Sequence, residues 1–213
     1  MDFELSSEQR LIQQTVRDFA RAEVAPAAEE LDRTKSFPYE IVAKLGELGL
    51  MGIPFPEEYG GGGADTLAYA IAIEELARID ASVCITVAAH TSLGTMPIHL
   101  WGTEEQKRDW LPELCAGRRL AAFGLTEPEA GSDAGNTRTT ARLEDGQWVI
   151  NGAKQFITNS GTDITGCVSI TAVTGGADGR KEISNIIVPS DVCAATVMQT
   201  DASTRASSSI AIA

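Results

Sequence analysis

Apolar positions in the first half of the chain recur at helical spacing. Leu11, Ile12, Val16, Phe19, Ala20 and Val24 are assigned to one face of a first helix, following the recurrence of an amphipathic helix. Ser6 and Gln9 form a capping box that starts it. Pro26 ends that helix or opens a short second one. Pro38 opens another, with Ile41, Val42, Leu45 and Leu48 facing inward and Gly49 as its stop. Residues 50–63 hold two prolines and end in four consecutive glycines, Gly60 to Gly63, which predicts a loop with a flexible connector. Residues 66–78 are helical again. Asp80 caps a nearly uncharged segment, 81–93. A helix with no wet face belongs in the middle of a bundle. Thr103 and Gln106 make a second capping box, for a helix with Trp110, Leu111 and Leu114 on one side and a kink or break near Pro112.

After Gly117 the pattern changes to short apolar runs. Strands are expected at 120–125, 138–143, 147–151, 167–173 and 183–188. Glu144-Asp-Gly146 is a hairpin signal, and Gly175 to Gly179 a Gly-rich turn. Helices followed by strands indicate α+β rather than alternating α/β. The expected division is an all-α domain over 1–119, a β domain over 120–189 and an atypical tail over 190–213. That tail is rich in small residues and lacks a Gly turn or an aromatic, so the β domain is expected to have an unfinished edge.

Composition narrows the classes. The 213 residues are 43% apolar and 22% charged, enough to bury a core. A net charge of −13 argues against nucleic acid as a partner. Any anion site must be built locally, from backbone N–H groups or a helix terminus. Cys84, Cys115, Cys167 and Cys193 are widely spaced, and His90 and His99 are the only histidines, so no metal site is expected. Reduced thiols and a start without a basic or apolar leader fit a cytoplasmic protein. No uncharged run is expected to reach membrane-spanning length.

The candidate chemistry lies in residues 123–133 and 156–158. Phe123, Gly124 and Leu125 are extended, so their backbone groups can meet the edge of a flat heterocycle, and Thr126 adds a hydroxyl. Gly131 permits close backbone approach to a phosphate, and Ser132 offers a hydroxyl and an N–H. From the residues alone a polar surface turn is the stronger reading, since any turn uses Gly, Pro, Ser and Asp. Phe156, Ile157 and Thr158 suit any half-buried strand. Glu127, Glu129 and Asp133 are candidate acids, with solvated turn carboxylates favoured because nothing apolar surrounds them. His90 and His99 are expected to be structural. Gly60 to Gly63 lacks the spacing and the Lys of a phosphate loop.

The chain resembles the N-terminal half of an acyl-CoA dehydrogenase. Gly124-Leu-Thr-Glu-Pro-Glu-Ala-Gly-Ser-Asp133 fits the family's first signature, with Asn136 a small departure beyond it. Leu48-Gly-Leu-Met-Gly-Ile-Pro-Phe-Pro-Glu-Glu-Tyr-Gly-Gly61, Trp101-Gly-Thr-Glu-Glu-Gln-Lys107, Leu111-Pro-Glu-Leu114 and Ile150-Asn-Gly-Ala-Lys-Gln-Phe-Ile-Thr-Asn159 follow in the family's order. The resemblance implies an N-terminal all-α domain, an antiparallel β-barrel or sandwich domain, and a C-terminal four-helix bundle beyond Ala213. It implies FAD as cofactor, acyl-CoA as substrate in fatty-acid β-oxidation, electron-transfer flavoprotein as acceptor, and a homo-oligomer for the full-length family, with neither nucleic acid nor membrane. The implied FAD contacts are Phe123, Gly124, Leu125, Thr126, Gly131, Ser132, Phe156, Ile157 and Thr158, with Ser132 also touching acyl-CoA. The implied base is a Glu beyond Ala213, so no catalytic residue is expected within the chain. The family pattern is expected to stop near Pro189, as a frameshift or altered gene end would leave it. Two alternatives are an inactive fragment that at most binds flavin or pairs with relatives, and a flavin acyl-CoA oxidase or monooxygenase of the same fold.

Overall fold

The computed structural model describes residues 4–193, 203–206 and 210–212. Two compact units emerge: Met1–Thr91 with Glu104–Arg119, and Ser92–Thr103 with Leu120–Ala213. One boundary between them falls near residue 120. Residues 92–103 group instead with the strands. A Cβ on Gly94 would lie 2.4 Å from that of Ala121, so only glycine lets this helical turn approach the first strand.

In the helical unit α1 spans Ser7–Phe19. The capping box is present: Gln9 N donates to Ser6 Oγ at 3.1 Å and Ser6 N to Gln9 Oε1 at 3.0 Å. The helix does not stop at Pro26. It passes through a π turn, Ala20–Val24, into α2, Ala25–Thr34. Ala25 N–H reaches back to Ala20 O, five residues away, and the widened turn accommodates the proline, which has no N–H to give. Val16, Phe19, Ala20 and Val24 are buried as expected, but Leu11 is 66% exposed. Five residues, or about 140° of helical rotation, separate Leu11 from Val16 and carry it off that face.

Helix α3 is Tyr39–Glu47, starting after Pro38 and ending before Gly49, which has φ +73°. Leu48 lies beyond the last turn and is exposed rather than inward. The glycine run is not a loose connector. Gly62 N donates to Gly52 O at 2.9 Å and Gly63 N to Phe55 O at 2.8 Å. A Cβ on Gly61 would sit 2.2 Å from Phe55 O, so at that position only a glycine allows the close packing.

Helix α4, Thr66–Ala77, is capped by Asp65, which accepts from Ala68 N at 2.7 Å and from Gln9 Nε2 at 2.9 Å. Farther along, Arg17 grips the buried Glu75 with two bonds of 2.9 and 2.7 Å. Those bonds hold the Glu75 carboxyl below the usual range despite burial.

Asp80 caps α5, Ala81–Ala88, which continues through a π turn, Ala89–Thr95, into α6, Met96–Trp101. This helix, Ala81–Trp101, has 21 residues and is long and apolar enough to cross a membrane by length and composition. The expectation that no uncharged run reaches that length is therefore corrected. Its apolar window is 61% buried inside the protein, as in a core helix. His90 is fully buried, bonded through Nε2 to Leu114 O at 3.1 Å. Burial pushes its pKa down to about 4, only partly offset by backbone bonds to Leu114 and Met51. Helix α7, Glu104–Cys115, runs through Pro112 without the expected break.

The sheet of the second unit is built around one long strand. Strands β1 (Leu120–Gly124), β2 (Thr140–Glu144), β3 (Gln147–Asn151), β4 (Thr165–Ala177) and β5 (Arg180–Pro189) occupy the five expected places. Strand β4 continues through Gly175 and Gly176, so the turn tightens to Asp178 and Gly179. β4 and β5 pair antiparallel along their length, whereas β1 joins β4 in parallel. The sheet is thus mixed rather than purely antiparallel. β1 and β2 share the same edge of β4: β1 reaches Ile170, and β2 touches at Val173. Ala122, Ile150, Val168, Ile170 and Ile186 form the core of this unit, with Trp148 and Ile157 against it.

The tail differs from expectation where it is described. α8 is Ser190–Cys193; β6, Ser203–Ala206, pairs with β3, and β7, Ile210–Ile212, pairs with β5. Both strands left open by the five-strand expectation therefore gain a neighbour. The remaining tail positions, 194–202, 207–209 and 213, lie outside the described residues.

Candidate functional site

Two irregular segments define the site: residues 125–139, between β1 and β2, and 152–158, after β3. Their junction lies where the edge of β4 passes from β1 to β2. Between Ile170 and Val173 no strand among the described residues covers that edge, and Thr171 lies at the gap. Polar side chains fill it.

Glu127 is the centre of this filling. It is 2% exposed. Its carboxylate accepts from Lys154 Nζ at 2.7 Å, Arg138 N at 2.6 Å, Thr139 N at 3.1 Å and the Thr137 hydroxyl. Burial alone would raise its pKa. The bonds from Lys154, Thr137, Thr139 and Arg138 outweigh it and hold the carboxyl down to about 2. The expectation of a solvated turn carboxylate fails here: residues distant in sequence enclose Glu127. Glu129 and Asp133 are exposed, as expected.

Lys154 is 7% exposed and points into the same gap. Besides Glu127 it donates to Leu125 O at 3.0 Å, Thr171 Oγ1 at 3.0 Å and Thr137 Oγ1 at 3.3 Å. Burial lowers its pKa, opposed by Glu127. Lys154 had no assigned role in the sequence reading. Its signal there was that it is the single basic residue between Arg142 and Arg180. Its partners, in contrast, lie between 17 and 29 positions away in the chain, and no local pattern points to them.

These bonds leave a particular set of groups facing outward. Three consecutive carbonyls are held from within: Gly124 O by Thr171 Oγ1 at 3.3 Å, Leu125 O by Lys154, and Thr126 O by Gln155 N at 2.9 Å. The Gly124 backbone is tightly enclosed, since a Cβ there would meet Lys154 Cγ at 3.3 Å. Phe123, Leu125 and Thr126 are half-buried. With its carbonyls engaged, the stretch presents donors, and the Thr126 hydroxyl has no partner among the described residues. Such a donor row suits the acceptor atoms along the pyrimidine edge of a flavin.

The Gln155 and Lys154 bonds bring residues 156–158 beside residues 124–127, the pairing expected from sequence. The triplet is not on a strand, however. Phe156 has φ +58°, and Asn159, next after Thr158, has φ +70°. Phe156 is 86% exposed, whereas Ile157 packs on the sheet core. A bulky aromatic held outward with left-handed backbone is uncommon and costs on the order of 1–3 kcal/mol. The Thr158 hydroxyl also lacks a partner among the described residues. Glu127 and Ala130 exchange backbone bonds of 3.0 and 3.2 Å, a tight turn that leads to Gly131 and Ser132. Both are exposed; nothing lies within 4 Å of a Cβ on Gly131, and the Ser132 hydroxyl engages no described residue. Groups of His, Cys, Asp and Glu able to hold a metal are absent among the described residues.

The sequence model of the N-terminal domain of acyl-CoA dehydrogenases matches residues 6–118, and that of their middle domain residues 122–210. The second match runs past Pro189, where the family pattern was expected to stop. A probable acyl-CoA dehydrogenase of Bacillus subtilis is 50% identical over 198 residues, 92% of this chain and 52% of that protein. The structure of butyryl-CoA dehydrogenase from Megasphaera elsdenii superposes with a TM-score of 0.83 at 39% identity, over 90% of this chain and 51% of that one. An acyl-CoA dehydrogenase from Bacillus anthracis complexed with FAD gives 0.76 at 41% identity, over 89% and 32%. The chain spans about half the length of the curated relatives it matches.

Proposed function

The chain belongs to the acyl-CoA dehydrogenase family, and from that premise we propose that its second unit holds the reactive ring of FAD for the α,β-dehydrogenation of an acyl-CoA thioester. The observation that carries this reading is the pair of N–H groups at Leu125 and Thr126, with no partner among the described residues, set beside 156–158 by Lys154 and Gln155. Bound there, FAD would accept a hydride from the substrate.

The chain's own residues then have separable tasks. The Leu125 and Thr126 N–H groups and the Thr126 hydroxyl meet the pyrimidine edge, where donors stabilise charge that develops on reduction. Phe156 and Ile157 pack on the ring, and Thr158 supplies a hydroxyl beside it. Gly131 and Ser132, on an exposed turn, meet the pyrophosphate, and Ser132 also the acyl-CoA. Glu127 is not the base that removes the α-proton. Its oxygens are filled by donors, and a carboxyl held near 2 is a weak proton acceptor. We place the base outside these 213 residues, in the half of the relatives that the chain does not span. Electron-transfer flavoprotein is the proposed acceptor and a homo-oligomer the proposed assembly, both from the family relationship.

The test is an FAD titration of the purified 213-residue chain, followed by butyryl-CoA and a dye acceptor. Quenching of flavin fluorescence is expected, without bleaching by butyryl-CoA. Failure to take up FAD would defeat the flavin reading. Bleaching by the thioester would place a base within the chain.

A further inference from the structure

Lys154 reaches the expected flavin edge through one peptide group. The Leu125 carbonyl and the Thr126 N–H are two ends of the same amide. Lys154 Nζ sits 3.0 Å from that carbonyl oxygen, with Glu127, Thr137 and Thr171 completing its bonds. A cation on an amide oxygen draws electron density from the nitrogen and makes its N–H a stronger donor. The effect is large only where solvent does not screen the charge, and the Lys154 side chain is 4% exposed. The neighbouring amides lack this feature: Gly124 O receives a neutral hydroxyl and Thr126 O a neutral N–H. The charge thus falls on one amide of the donor row.

We propose that Lys154 is a positioning residue that polarises the Leu125–Thr126 amide, so that the Thr126 N–H is the strongest donor toward the bound ring and raises its readiness to accept electrons. Glu127 accepts from the same Nζ at 2.7 Å, holds Lys154 in place and balances its charge. The pair also joins 125–127 to 154–155, so one device sets both the geometry and the donor strength of the row. This rests on the flavin reading above.

Lys154→Met alone strands the Glu127 carboxylate and risks the fold. The test therefore uses the double variant Glu127→Gln/Lys154→Met, which removes both charges, in the 213-residue chain. Ile150→Val, which loosens the same core without touching charge, is the control. In the absence of flavin, the Thr126 amide proton is expected to move upfield in the double variant, more than those of Gly124 and Leu125. With FAD, affinity should fall on the order of ten-fold, the worth of about one hydrogen bond, and the flavin midpoint potential should become more negative. The control should move neither the amide nor the potential. A Thr126 amide that shifts no more than its neighbours, or an unchanged potential, overturns the proposal. If the wild-type chain takes up no FAD, the flavin reading fails, and the amide shift still decides the role of Lys154.

Discussion

Glu127 illustrates how a residue's chemistry is set by what folds around it. In sequence it is one of three acids in a turn. In the structure Lys154, two backbone N–H groups and the Thr137 hydroxyl surround it. Its folded pKa is about 2, against about 4.3 for an unperturbed Glu. A lowered carboxylate pKa stabilises the fold above the unfolded value, and that stabilisation is lost as pH falls from about 4 toward 2. The magnitude is on the order of 3 kcal/mol. Chemical denaturation of wild type and Glu127→Gln at pH 7 and pH 3 should show the wild type losing more stability on acidification. Parallel losses in the two proteins would refute this linkage. Thr126, Ser132 and Thr158 were named as candidates through the family resemblance, since hydroxyls and glycines by themselves suit any surface turn. The ion pair behind them was not, because its members lie 27 positions apart.

At the level of elements, periodicity and caps placed most helices and strands. Ser6, Asp80 and the Gly49 stop act as expected, since each works through bonds within a few residues. The misses involve backbone closeness between elements. Gly60 to Gly63 read as a connector because a run of glycines has no local alternative, whereas the packing against Phe55 is tertiary. Pro112 fell within a helix, where neighbouring structure tolerates a missing bond, while Pro26 lies in the first turn of α2, one of the two roles expected of it. Asp65 does more than cap: it holds Ala68 N and also Gln9, at the start of α1. Asp65→Ala should therefore destabilise the helical unit by about 1–2 kcal/mol, whereas Ser6→Ala should cost about 1 kcal/mol or less. Urea unfolding followed by circular dichroism measures the difference, and an equal or smaller loss in the Asp65 variant would contradict the inter-helix tie.

For the whole molecule, charge is the dominant global quantity. A net −13 spread over 213 residues makes the folded chain repel itself. Raising ionic strength from 0.01 to 0.15 M shortens the screening length from about 30 to about 8 Å. The melting temperature should rise over that interval, with most of the gain below 0.15 M. A flat or falling melting temperature would mean that paired charges such as Arg17–Glu75 outweigh the net repulsion.

By itself the sequence determined the order of helices then strands, their main caps, the −13 charge and the two segments that carry the family's motifs. Those properties are local or additive, so a chain read residue by residue contains them. Only the tertiary structure decided that residues 92–103 group with the sheet, that β1 runs parallel to β4, and that Glu127 and Lys154 are buried partners. Each of these depends on which distant segments share one edge of β4. That choice is made by burial and backbone hydrogen bonding across the whole unit, so no single stretch of the chain contains it.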